Sequence, residues 1–133
     1  MIDHLTLPVA HGTSLFYSGN WLLINALILL MITDVITGLL KAISKGQLWS
    51  KSALNGYVRK IGYLCVILAG NLIDVIFQMH GMFINSFVLF YIVGELTSVL
   101  ENAVAMGIPV PKLLSDKLMI DNKGEVTHDE DTH

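Results

Sequence analysis

Three long apolar runs, at residues 21–40, 61–78 and 82–100, constrain this chain more than any other feature of its sequence. At 1.5 Å per residue, a run of about 20 residues reaches roughly 30 Å, the thickness of a bilayer's hydrocarbon core. Lipid offers no partners to backbone polar groups, and three strands cannot close a barrel. The runs therefore predict an all-α integral membrane protein with three transmembrane helices. The rest of the composition agrees. The chain is 53% hydrophobic and 14% charged, with a mean hydropathy of +0.63, against roughly a quarter charged residues in soluble domains. A soluble chain of 133 residues has too little interior to hide that much apolar surface.

Charge distribution predicts the orientation. Residues 41–60 hold Lys41, Lys45, Lys51, Arg59 and Lys60 with no acidic residue, which places this basic loop in the cytoplasm. Residues 1–20 contain no Lys or Arg. They read as an external segment followed by a retained span, not as the basic n-region of a cleaved signal peptide. A short outer turn at 79–81, around His80 and Gly81, joins the second and third spans. The tail, 101–133, returns to the cytoplasm with Lys112, Lys117 and Lys123, giving an N-out, C-in topology. In the loop, Ser52 is placed to cap a helical lead-in to the second span, and Trp49 and Tyr57 suit the headgroup region, so membrane lipids are predicted contacts. Gly107, Pro109 and Pro111 should end the third helix. A short helical stretch is expected within 112–120. The polar, acidic segment 121–133 has the composition of a disordered tail.

Polar residues interrupt each span in register. Asp34, Thr37, Gly38 and Lys41 share one helical face, as do Asn71, Asp74 and Gln78, and again Tyr91, Glu95, Ser98 and Asn102. Carboxyls at membrane depth are costly and face protein or water. Three stripes in a thin bundle are most easily satisfied between subunits, so a homo-oligomer is predicted. Gly62, Gly70 and Gly94 offer close helix packing. Three uses of the acids remain open at this point: protonated hydrogen-bond donors between helices, the lining of an aqueous lumen, or a proton relay.

The sequence also argues against several functions. Cys65 is the only cysteine, and His4, His11, His80, His128 and His133 show no paired ligand spacing, so neither a metal site nor a cofactor is predicted. No motif unites Ser, His and Asp, and no Gly-rich phosphate loop occurs, so no enzyme is expected. The basic loop is a topology determinant between two spans, not a nucleic-acid surface.

The segment DVITGLLKA at 34–42, followed by SALNG at 52–56 and RK at 59–60, resembles the phage lysis and toxin-secretion holins. The segment GELTSVLEN at 94–102, followed by GIPVPK at 107–112, is similar to that family's second hallmark. The resemblance runs from about Asp34 to Leu118. It implies a multi-pass protein of the host cytoplasmic membrane that oligomerises and opens lesions through which an endolysin escapes, without necessarily binding it, and it allows an antiholin as a further partner. The acidic end, Asp129 to Asp131, departs from the basic tail common in that family. The chemistry of the residues also fits a small ion channel or proton-coupled transporter subunit, and an antiholin or toxin-release homologue would share the packing.

Overall fold

The computed structural model describes residues 15–48 and 51–118, and these are all-helical. Helix α1 is Trp21–Ser44, α2 is Lys51–Ile76, α3 is Met82–Ala105, and the short α4 is Lys112–Lys117. The first three form an up-down-up bundle in which α1 lies mainly against α3, α3 also contacts α2, and α1 and α2 meet only slightly. Both α1 and α3, of 24 residues each, are long and apolar enough to cross a membrane. Of the three predicted spans, the middle one belongs to the more polar helix. Its 26 residues include Lys51, Arg59, Lys60, Asn71 and Asp74.

Each long helix ends by the same device. The amide of Gly46 donates to Ile43 O and that of Gln47 to Ala42 O at the end of α1. Gly107 to Val104 O and Ile108 to Ala103 O repeat the pair at the end of α3. These are Schellman closures, with a left-handed residue just past the helix and a proline following at Pro109. In α2 the corresponding bonds run from Gln78 to Val75 O and from Met79 to Asp74 O, with Gln78 itself at φ 54°. Gln78 therefore turns the chain and is exposed. Its predicted place on a polar stripe fails because the helix, and with it the periodicity, stops at Ile76.

The turn closes at His80 and Gly81, with φ of 52° and 87°. A Cβ on Gly81 would lie 3.0 Å from Ser18 O and 3.2 Å from Gly19 Cα, both backbone atoms. Gly81→Ala is expected to cost about 1–3 kcal/mol, read as a lower midpoint in denaturant titration of the micelle-bound protein.

The apolar core lies toward this turn and comprises Tyr17, Ile24, Leu27, Ile67, Ile84, Val88 and Tyr91. Tyr63 and Tyr91 stack at its inner edge with centroids 4.3 Å apart. Residues before α1 fold over the turn end of the bundle. The Tyr17 hydroxyl donates to Asn20 O, the Asn20 side chain caps Leu22 N, and Asn20 N donates to Asn85 Oδ1 at 2.8 Å. Burial pushes the Tyr17 phenol above its usual pKa, so it remains a donor. Outward-facing Leu29, Ile32, Ile36, Phe90 and Val93 are roughly half exposed or more, an apolar sheath of the kind lipid covers.

Candidate functional site: an ionic cluster inside the bundle

Asp34 stands 10 residues before the end of α1 (44 − 34), Lys60 stands 9 after the start of α2 (60 − 51), and Glu95 stands 10 before the end of α3 (105 − 95). At 1.5 Å per residue, all three lie about 14–15 Å from the helix ends on the side of the α1–α2 loop. They meet there. Lys60 Nζ is 2.8 Å from Asp34 Oδ2 and also pairs with Glu95 Oε2. Asn102 extends the cluster by donating through Nδ2 to Asp34 Oδ1 at 2.8 Å and to Thr37 Oγ1 at 3.2 Å. Its Oδ1 accepts from Lys41 Nζ at 2.6 Å. Glu95 is 2%, Asn102 6% and Lys60 8% exposed. One ammonium thus ties together carboxylates from the two flanking helices.

Of the five cations of the predicted basic loop, Lys41 lies in α1 and Lys51, Arg59 and Lys60 in α2, and Lys60 is the one misplaced furthest. As part of a basic loop it would mark topology. Instead it lies well inside α2, and the described part of the loop is only residues 45–48. Its presence between Asp34 and Glu95 also changes the predicted role of the acids. Their counter-charge comes from the same chain, so neither protonation nor a second subunit is required to satisfy them. The available signal was depth, since Lys60 reaches the level of Asp34 and Glu95 once α2 begins at Lys51.

A second polar cluster occupies the turn end. Asp74, 1% exposed, accepts from the amides of Gly81 at 2.7 Å, Phe83 at 2.9 Å and Ile84 at 3.1 Å, and from Ser18 Oγ at 3.2 Å. These amides open α3, where the helix dipole also favours an anion. Asn71, fully buried, accepts from Ser18 N and Ser18 Oγ and donates to Leu15 O at 2.9 Å. No buried side-chain polar atom among the described residues lacks a partner.

The remaining predicted positions divide. Gly38 lies beside Asn102, and Ser98 is half-buried at the mouth of the ionic cluster. Gly70 packs on Ile84 and Phe87 as expected of a close-approach residue. At Gly62 and Gly94 a Cβ would meet nothing within 4 Å, so within one subunit they are not packing positions. Lys45, Lys51 and Arg59 are exposed. Trp49, Lys123, the acidic tail and His4, His11, His128 and His133 lie outside the described residues, as does the Ser52 side chain.

Comparison with known proteins gives the same direction. Residues 12–122 match the model of the bacteriophage holin family. A probable holin of Bacillus phage phi105 is 37% identical over 97 residues, covering 73% of this chain and 72% of its own length. The uncharacterized protein YqxH of Bacillus subtilis (strain 168) is 35% identical over 125 residues, covering 93% and 87%. The holin-like protein TcdE of Clostridioides difficile is 25% identical over 134 residues, covering 88% and 81%. No solved structure matches.

Proposed function

Since this chain belongs to the bacteriophage holin family, we propose that it inserts in the cytoplasmic membrane of a bacterial host, self-associates and opens lesions that release an endolysin. In this reading α1, α2 and α3 all span, with the N-terminus outside and the loop after α1 in the cytoplasm. The observation that carries the mechanism is the Asp34–Lys60–Glu95 cluster, an ionic core enclosed by an apolar sheath. Each subunit first sits in lipid with its charges satisfied internally. Exposed Gly62 and Gly94 then supply smooth faces on which copies pack as density rises.

Opening separates α1 from α2, the pair with the least contact, and turns the cluster toward water. Hydration offsets the loss of the ion pairs, because buried charges carry a desolvation cost that water removes.

The test replaces the cluster by apolar side chains, leaving no charge of the triad unpaired and Asn102 still bonded to Thr37 and Lys41: Asp34→Leu, Lys60→Met and Glu95→Leu together. Such replacements are often neutral or stabilising. The triple variant should reach the membrane at wild-type abundance yet fail to lyse cells supplied with endolysin. Lysis with unchanged timing and extent would overturn the mechanism. Escape of a folded reporter enzyme from wild-type cells separates a holin from an ion channel, which passes only small solutes.

A further inference from the structure

The loop side of the bundle holds a cavity of about 440 Å³ between α1, α2 and α3, reaching inward to Asp34 and Lys60. Lys41, Lys45, Arg59 and Lys60 line it, against Asp34 and Glu101. Lys60 is committed to Asp34 and Glu95, and among the described residues Lys41 is held by the neutral Asn102 alone. Lys45 and Arg59 have no acidic partner among the described residues. Lys41, Lys45, Arg59 and Lys60 against Asp34, Glu95 and Glu101 leave a local charge of +1 (4 − 3). This cavity adjoins, across the shared residues Val35 and Lys60, a groove of about 310 Å³ whose other lining residues are apolar. Ile28, Ile32, Ile36 and Leu64 line that groove on the outer surface of α1 and α2. From Ile28 to Ile36 it follows the bundle axis for about 12 Å.

From this adjacency we infer that the gap between α1 and α2 is a binding site for one anionic phospholipid of the inner leaflet. The phosphate group sits among Lys41, Lys45 and Arg59, and an acyl chain lies along the groove. A basic hollow alone would suit any soluble phosphate. The apolar extension matches the two-part chemistry of a phospholipid, and basic pockets between spans on the cytoplasmic side suit such headgroups. Tyr57, at the cavity wall, presents a ring and a hydroxyl at headgroup level. Because α1 and α2 scarcely touch, the lipid would fill the seam that opening must part. The inference rests on the membrane-spanning reading above, with the loop after α1 on the cytoplasmic side.

The experiment reconstitutes the full chain in bilayers of mixed phosphatidylcholine and phosphatidylglycerol, extracts it in mild detergent, and quantifies retained lipid by native mass spectrometry. Wild type should retain phosphatidylglycerol selectively. Lys45→Gln with Arg59→Gln should lower that retention about thirtyfold, as expected for two headgroup charges. Ile32→Trp, which fills the groove, should lower it with both cations intact, and added inorganic phosphate should leave it unchanged. Equal retention of phosphatidylcholine, wild-type retention by either variant, or displacement by inorganic phosphate would each overturn the lipid site. An alkaline wash of the membranes separates the two failures. Protein lost to the wash overturns the spanning reading itself, whereas protein that stays in the membrane without selective lipid overturns only the site.

Discussion

Replacing Lys60 with methionine will destabilise the bundle by about 3–5 kcal/mol, the cost of leaving buried charges without their partner. The methionine fills much of the lysine volume, so the loss reports charge and not a cavity. Both Asp34 and Glu95 lose their ammonium, while the bonds of Asn102 to Asp34, Thr37 and Lys41 are untouched. Denaturant titration in mixed micelles, followed by helical circular dichroism, measures the change. Adding Asp34→Asn and Glu95→Gln to Lys60→Met should restore the larger part of the stability, because the neutral amides no longer need a counter-charge. A Lys60→Met protein as stable as wild type would mean that the cluster does not hold the three helices together.

Asp74→Ala will have its largest effect at the start of α3. The carboxylate there is the acceptor for the amides of Gly81, Phe83 and Ile84 and for the Ser18 hydroxyl. Removing it orphans buried donors at about 1–3 kcal/mol each, so a total near 3 kcal/mol is expected after partial relaxation. Amide hydrogen exchange at Gly81, Phe83 and Ile84 should accelerate about a hundredfold, the ratio that such a loss corresponds to. Asp74→Asn should fall between the two, since one oxygen still accepts. Unchanged exchange at these three amides would show that the turn is fixed by packing alone. The effect is separable from that of Lys60, as the two clusters lie at opposite ends of the core and Asp74 and Lys60 bond to different residues.

Much of this architecture is legible in sequence, for definite reasons. Helices of 24 residues emerge from apolar runs because lipid and helix geometry leave no other choice. The Gly107–Pro111 exit and the His80–Gly81 turn follow from local backbone preference. Three of the four residues in the ionic centre, Asp34, Glu95 and Asn102, were visible as polar interruptions at helical spacing. The fourth, Lys60, was hidden by its neighbours. Standing beside Arg59 in a segment rich in cations, it reads as loop until the start of α2 at Lys51 is known. Depth depends on where a helix begins, and helix boundaries are the property that local pattern fixes least. Gln78 fails for the converse reason: periodicity carries on past Ile76 in the sequence but not in the chain. Gly62 and Gly94 are small enough for close packing, yet composition does not say which face meets a neighbour.

The shared Schellman endings of α1, α2 and α3 have a mechanical consequence. Each rod closes its C-terminal carbonyls with its own backbone, so no C-terminal end borrows a hydrogen bond from a neighbouring rod, whereas the start of α3 takes its acceptor from Asp74 of α2. At the C-terminal ends, secondary structure and assembly are thereby decoupled. What joins one rod to another is side chains: one charged knot, one capped turn and the apolar core between them. A molecule built this way can rearrange its helices while their C-terminal turns stay closed, and the barrier to that rearrangement is set by side-chain contacts instead of by unfolding.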